Sequence, residues 1–120
     1  SAVDPKRPAT TSKKAMRQVI RGTIGYDGLV MSDDLSMKAL GGDFASRARD
    51  SLAAGCDVVL HCNGDMAEMK DVIAGTRELA GKAERRAKAA LRRIVRVPEP
   101  FDAEEGRARF DAAFDGRFAA

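Results

Sequence analysis

Two short runs of the sequence hold the side chains that could do chemistry. Ser32-Asp33-Asp34-Leu35-Ser36-Met37 sets two adjacent carboxylates behind the apolar run Leu29-Val30-Met31, with no Lys or Arg before Lys38. Carboxylates so placed serve as nucleophiles, general bases or metal ligands, whereas capping the next helix needs only one Asp, the plain alternative for Asp34. The second run, His61-Cys62-Asn63-Gly64-Asp65, contains the chain's single His. Metal binding fits it poorly: on a strand His61 and Cys62 point to opposite faces, and Cys56 lies about 20 Å back. His61 reads instead as a hydrogen-bonded wall residue. No Gly-rich phosphate loop of the dinucleotide or nucleotide-triphosphate kind is present, so no cofactor or metal is expected.

These runs need elements to carry them. Pro5, Pro8 and Thr10-Thr11-Ser12 form an extended lead-in that supplies an N-cap, and Met16, Val19 and Ile20 predict a helix over about 13–22, stopped by Gly22. Leu29-Val30-Met31 is too short for a helix and reads as a buried strand ending in Ser32-Asp33-Asp34. Phe44, Ala48 and Leu52 predict a second helix, capped by Asp43 and closed by Gly55, before a second strand over 56–62. Met66, Met69, Val72 and Ile73 should form the inner face of a third helix; Gly75 and Gly81 interrupt the pattern ahead of a basic helix to about Arg96, ended by Pro98 and Pro100. Buried strands alternating with helices predict an α/β fold of parallel βα units, in which active groups gather in the loops after the strands. Residues 98–120 form a separate tail, expected to be helical, in which Phe110, Phe114 and Phe118 fall four apart and should pack on the domain.

Composition narrows the function. Lys and Arg number 21 against 18 Asp and Glu, a net charge of +3, and the basic stretch from Lys82 to Arg96 is interleaved with Ala and Leu rather than aromatic residues. That is the solvated face of an amphipathic helix, and it argues against nucleic acid as a partner. No stretch approaches a membrane span, and the N-terminal residues lack an apolar signal core. Cys56 and Cys62 are too far apart on one strand to bridge, and two thiols without a disulfide framework suit a reducing cytoplasm. With 21 alanines, no Trp and five Phe, 120 residues make a thin core. An eight-stranded β/α barrel takes roughly twice that length.

The run from Val19 to Met37, and within it Ser32-Asp33-Asp34-Leu35-Ser36-Met37 followed by Lys38-Ala39-Leu40, closely resembles the active-site signature of glycoside hydrolase family 3. Gly41-Gly42, Ala54-Gly55-Cys56-Asp57 and His61-Cys62-Asn63 resemble the bacterial cytoplasmic β-N-acetylhexosaminidases of peptidoglycan recycling within it. The likeness covers roughly residues 1–95; Thr23 departs from a position that is commonly acidic. It implies the C-terminal portion of a TIM (β/α)₈ barrel over residues 1–97, from helix six through strands seven and eight to the closing helices. It implies that Asp33 is the nucleophile of a retaining reaction on a small carbohydrate, terminal N-acetylglucosamine on muropeptide-type sugars. The family's acid/base is a His paired with an Asp in an early loop, and no segment of this sequence resembles that loop or the segments that hold the sugar. The chain by itself is therefore expected to be inactive, to pair with the rest of a barrel or with itself, and in an alternative reading to be a noncatalytic folding or interaction module.

Overall fold

The computed structural model describes residues 3–95 and 97–114. Its centre is a parallel pair of strands, β1 (Met31–Asp34) and β2 (Val58–Leu60), joined through helix α1 (Phe44–Ala54). Parallel strands need such a crossover, and it places the residues following each strand at one edge. Before β1 runs a single 3₁₀ turn (Ala9–Thr11), then a helix wound with i→i+5 bonds (Ala15–Thr23). After β2 come α2 (Met66–Gly75), α3 (Gly81–Leu91), a 3₁₀ turn (Arg92–Val95) and α4 (Ala103–Ala113).

Most boundaries follow from capping. The Ser12 hydroxyl accepts from Ala15 N–H at 3.1 Å and donates to Asp4 at 2.6 Å, opening the first helix where the lead-in predicts it. Asp43 accepts from Ser46 N–H at 2.7 Å to start α1, and Asp65 takes the Ala67 and Glu68 amides to start α2. Gly55 ends α1 at φ 131°, in a region that L side chains rarely adopt.

The core is two small clusters threaded by α1. Leu35, Leu40, Ala48 and Val72 form one, with Phe44 and Val59 against it; Met16, Ala54 and Cys56 form the other, with Ile20 and Val30. Helices α1 and α2 cross so closely that a Cβ on Gly75 would stand 2.0 Å from the Ala45 carbonyl oxygen. Glycine there is a condition of the packing, and α2 ends on it; α3 begins at Gly81, so the helical pattern breaks between the two glycines as predicted.

Three expectations need correction. The first strand is shifted: it runs from Met31 through Ser32, Asp33 and Asp34, and Val30 meets β2 through its carbonyl, which accepts from Asp57 N–H at 2.8 Å, while its amide is claimed by the Asp57 side chain at 2.9 Å. Val72 is buried but Met66 and Ile73, placed on the same inner face, are 62% and 68% exposed. Of the tail's aromatic residues, Phe101, Phe110 and Phe114 enter neither cluster. α4, capped by Asp102, buries none of its residues; Phe110 and Phe114 rest on each other with centroids 4.8 Å apart, and Phe101 lies over Gly106. Phe118 lies outside the described residues.

Candidate functional site

At the carboxyl edge the two strands are out of simple register, since Met31 is opposite Val58 and Asp34 opposite Leu60. β1 thus carries an extra residue, the signature of a bulge, which redirects the side chains that follow it. Ser32 repairs the ladder. Its buried hydroxyl accepts from Leu60 N–H at 3.0 Å and donates to the Asp33 carbonyl at 2.8 Å, and Leu35 N–H then bonds the Leu60 carbonyl at 2.9 Å.

The two aspartates beyond Ser32 have different surroundings. Asp34 is spent on structure: one oxygen accepts from Ser36 N–H at 3.0 Å and Cys62 N–H at 3.2 Å, and the other takes the Ser36 hydroxyl. Those bonds, the Ser36 hydroxyl foremost, hold the Asp34 carboxyl below the usual carboxylate range. Asp34 therefore ties the β1 loop to the end of β2. Asp33 is exposed, and one of its oxygens accepts from the Asp34 N–H at 2.8 Å. That bond orients the carboxylate while leaving it open to solvent, as a nucleophile or base requires.

His61 closes the far side. Its side chain is only 5% exposed, its ring stands edge-on to Phe44 with centroids 5.0 Å apart, and it lies between Glu68 (Nε2 to Oε2, 3.0 Å) and Asp34 (Nδ1 to Oδ1, 3.8 Å). It is a wall residue, but not through the expected hydrogen bonding: neither ring nitrogen makes an aligned hydrogen bond. Cys62, next along, is exposed. Among the described residues no group of three or more His, Cys, Asp or Glu side chains is arranged to hold a metal ion, and no helix is long and apolar enough to cross a membrane.

Glu68 was not singled out by sequence reasoning, although Asp65-Met66-Ala67-Glu68 has the spacing of a capping box, which places a carboxylate in the first turn of a helix. Nor was the cluster at the opposite edge. There Asp57, buried, receives Arg21 at 2.8 Å, Arg86 at 3.0 Å and the Val30 amide, while Arg86 also bonds the Asp27 carbonyl and carboxylate. Arg21 further caps the Tyr26 and Gly28 carbonyls at 2.7 Å each.

Residues 1–97 match the family model described as the glycosyl hydrolase family 3 N-terminal domain. Among curated proteins, a beta-hexosaminidase of Bordetella avium (strain 197N) is 48% identical over 59 residues, which is 48% of this chain and 17% of that protein. One from Pseudomonas aeruginosa (strain LESB58) is 48% identical over 63 residues, 51% of this chain and 19% of its own length. A third, from Bordetella pertussis, is 44% identical over 64 residues, 52% and 18%. The aligned part is thus under a fifth of each relative. With a family model spanning 97 of its 120 residues, the chain belongs to glycosyl hydrolase family 3.

Proposed function

We propose that the protein to which this chain belongs is a retaining β-N-acetylglucosaminidase, with Asp33 as its nucleophile. The observation that carries the reading is the division of labour between neighbours: Asp34 is fully engaged in tying two loops together, and Asp33 presents an exposed, oriented carboxylate at the carboxyl edge of a parallel strand pair. In the reaction an Asp33 oxygen attacks the anomeric carbon as the bond to the leaving oxygen breaks, and an acid protonates that oxygen. Water, deprotonated by the same group, then attacks the anomeric carbon and releases Asp33. The names of the relatives support a hexosamine substrate. Terminal N-acetylglucosamine on muropeptide-type sugars, in cytoplasmic peptidoglycan recycling, is the setting the signature favours.

In this reading β1 and β2 are the seventh and eighth strands of a TIM barrel, and the rest of the barrel, or a second copy, covers the exposed strand face that includes Met31, 54% exposed. The chain by itself is inactive, because nothing in it matches the family's acid/base loop and general acid catalysis typically contributes about 10²- to 10⁴-fold. That lack is also what favours the second reading, a noncatalytic folding or interaction module.

The deciding experiment treats the intact enzyme with a fluorinated N-acetylglucosaminide that accumulates the covalent intermediate. The Asp33 peptide should carry the label, and Asp33→Ala should lower turnover by about 10⁴-fold or more while Asp34→Ala costs far less. A label on Asp34 overturns the assignment. The 120-residue chain, assayed with an activated aryl N-acetylglucosaminide, should show no turnover.

A further inference from the structure

A buried ring nitrogen that makes no aligned hydrogen bond has to be compensated in some other way, and His61 has two of them. Both face carboxylates: Glu68 on α2 at 3.0 Å and Asp34 at the end of β1 at 3.8 Å. A neutral imidazole has one N–H and compensates one side only; the imidazolium has two and a charge, and suits a slot between two carboxylates. α1 contributes the Phe44 edge; the Arg47 guanidinium lies 5.1 Å from the Phe44 centroid and is bonded to the Leu35 and Gly42 carbonyls. The turn after β2 contributes Asn63, whose amide donates to the same Glu68 oxygen at 2.8 Å and steadies it. Asp65, on the first turn of α2, is engaged with the Ala67 and Glu68 amides.

From His61 the contacts lead to the reacting carboxylate through one residue. Asp34, which the ring faces, supplies the backbone N–H that holds an Asp33 oxygen at 2.8 Å. We propose that His61 is a positioning residue for Asp33: wedged between Glu68 and Asp34, it fixes the loop that aims the Asp33 carboxylate. The slot needs the ring and both carboxylates, so removing the ring or Glu68 frees the loop and degrades the aim of Asp33. This rests on the reading of Asp33 as nucleophile.

The test is the rate at which the intact enzyme is labelled at Asp33 by a fluorinated N-acetylglucosaminide bearing an activated leaving group. Such a leaving group departs without a proton, so the rate of labelling reports the nucleophile and not the general acid. His61→Gln and Glu68→Gln should each label about tenfold more slowly than wild type at one fixed pH, with the reagent's binding constant changed by no more than about twofold, a split that a general loss of structure would not give. Glu68→Gln leaves the buried ring in place, so a folding defect confined to the His61 variant does not decide the matter. A wild-type labelling rate in Glu68→Gln would overturn the proposal while leaving Asp33 as nucleophile. A wild-type label on any other residue would overturn the Asp33 reading, and the positioning role with it.

Discussion

The same two strands end in opposite uses of negative charge. At the amino edge Asp57 is buried beneath two arginines and a backbone amide, and every oxygen is consumed within the chain. At the carboxyl edge Asp33 is exposed and its carboxylate accepts from the next residue's N–H. A carboxylate taken out of water is tolerated when cations and donors enclose it, and it then fastens elements; one left in water at a fixed angle remains available to a substrate. Asp34 stands between these extremes, since its oxygens are occupied although it is only partly covered.

Exchanging the perturbation between the two edges gives the sharpest contrast. Asp33→Ala in the intact enzyme should abolish turnover and leave the thermal midpoint nearly unchanged. Asp57→Ala should cost about 3–5 kcal/mol of stability, because it removes the carboxylate that two mostly buried arginines share and leaves Arg21 with carbonyl partners and no counter-charge there, while the reaction chemistry survives in whatever remains folded. Denaturant unfolding beside steady-state kinetics reads both, and an Asp57 variant as stable as wild type would break the comparison. Removing one cation is milder. Arg86→Met leaves Arg21 on Asp57 and should cost about 1.5–3 kcal/mol by the same unfolding measurement, as a charge-assisted hydrogen bond would.

Acid should loosen both edges. Asp34 and Asp27 each have their carboxyl held below the ordinary 3.8, by the Ser36 hydroxyl in one case and the Arg86 guanidinium in the other. A folded-state value below the unfolded one means that their contribution is fully present above about pH 4 and is lost as pH falls through the folded value. Thermal midpoints measured from pH 6 down to pH 2 should fall less steeply in Asp34→Asn and in Asp27→Asn than in wild type. The gentlest probe is a thiol reagent. Cys62, exposed at the carboxyl edge, should react in the native chain, whereas Cys56, whose thiol burial and the Asp57 charge push up to about 11, should react only on unfolding. Native reaction at Cys56 would show that the amino edge is the open one.

What the sequence reveals here divides by range. Caps and stops are written within three or four residues, so Asp43, Gly55 and Ser12 could be read directly. The start of β1 could not, because Val30 is engaged there by Asp57, 27 residues further on. Periodicity found the apolar positions of α2 but not how many the core would cover: the two clusters reach Val72 and leave Met66 and Ile73 outside. Within the candidate site, Asp33 stood out because two carboxylates behind an apolar run are unusual, and because the surrounding residues resemble a known signature. The clasp around His61 did not stand out, since it joins β1 to α2 and Glu68 does not read as chemistry in isolation.

The Asp57 cluster also sets an order of assembly. Arg21 and Asp57 are 36 residues apart, Asp57 and Arg86 another 29, and Asp27 and Arg86 59. As the chain emerges from the ribosome, the first arginine can find Asp57 as soon as β2 is out, but the second closes only after α3 has been made. Until then Asp57 holds half of its cationic partners, and the strand pair is fastened on one side only. The cluster therefore works as a completion latch: nascent chains stopped before α3 should remain open to protease at the amino edge, and chains that include it should become protected in one step.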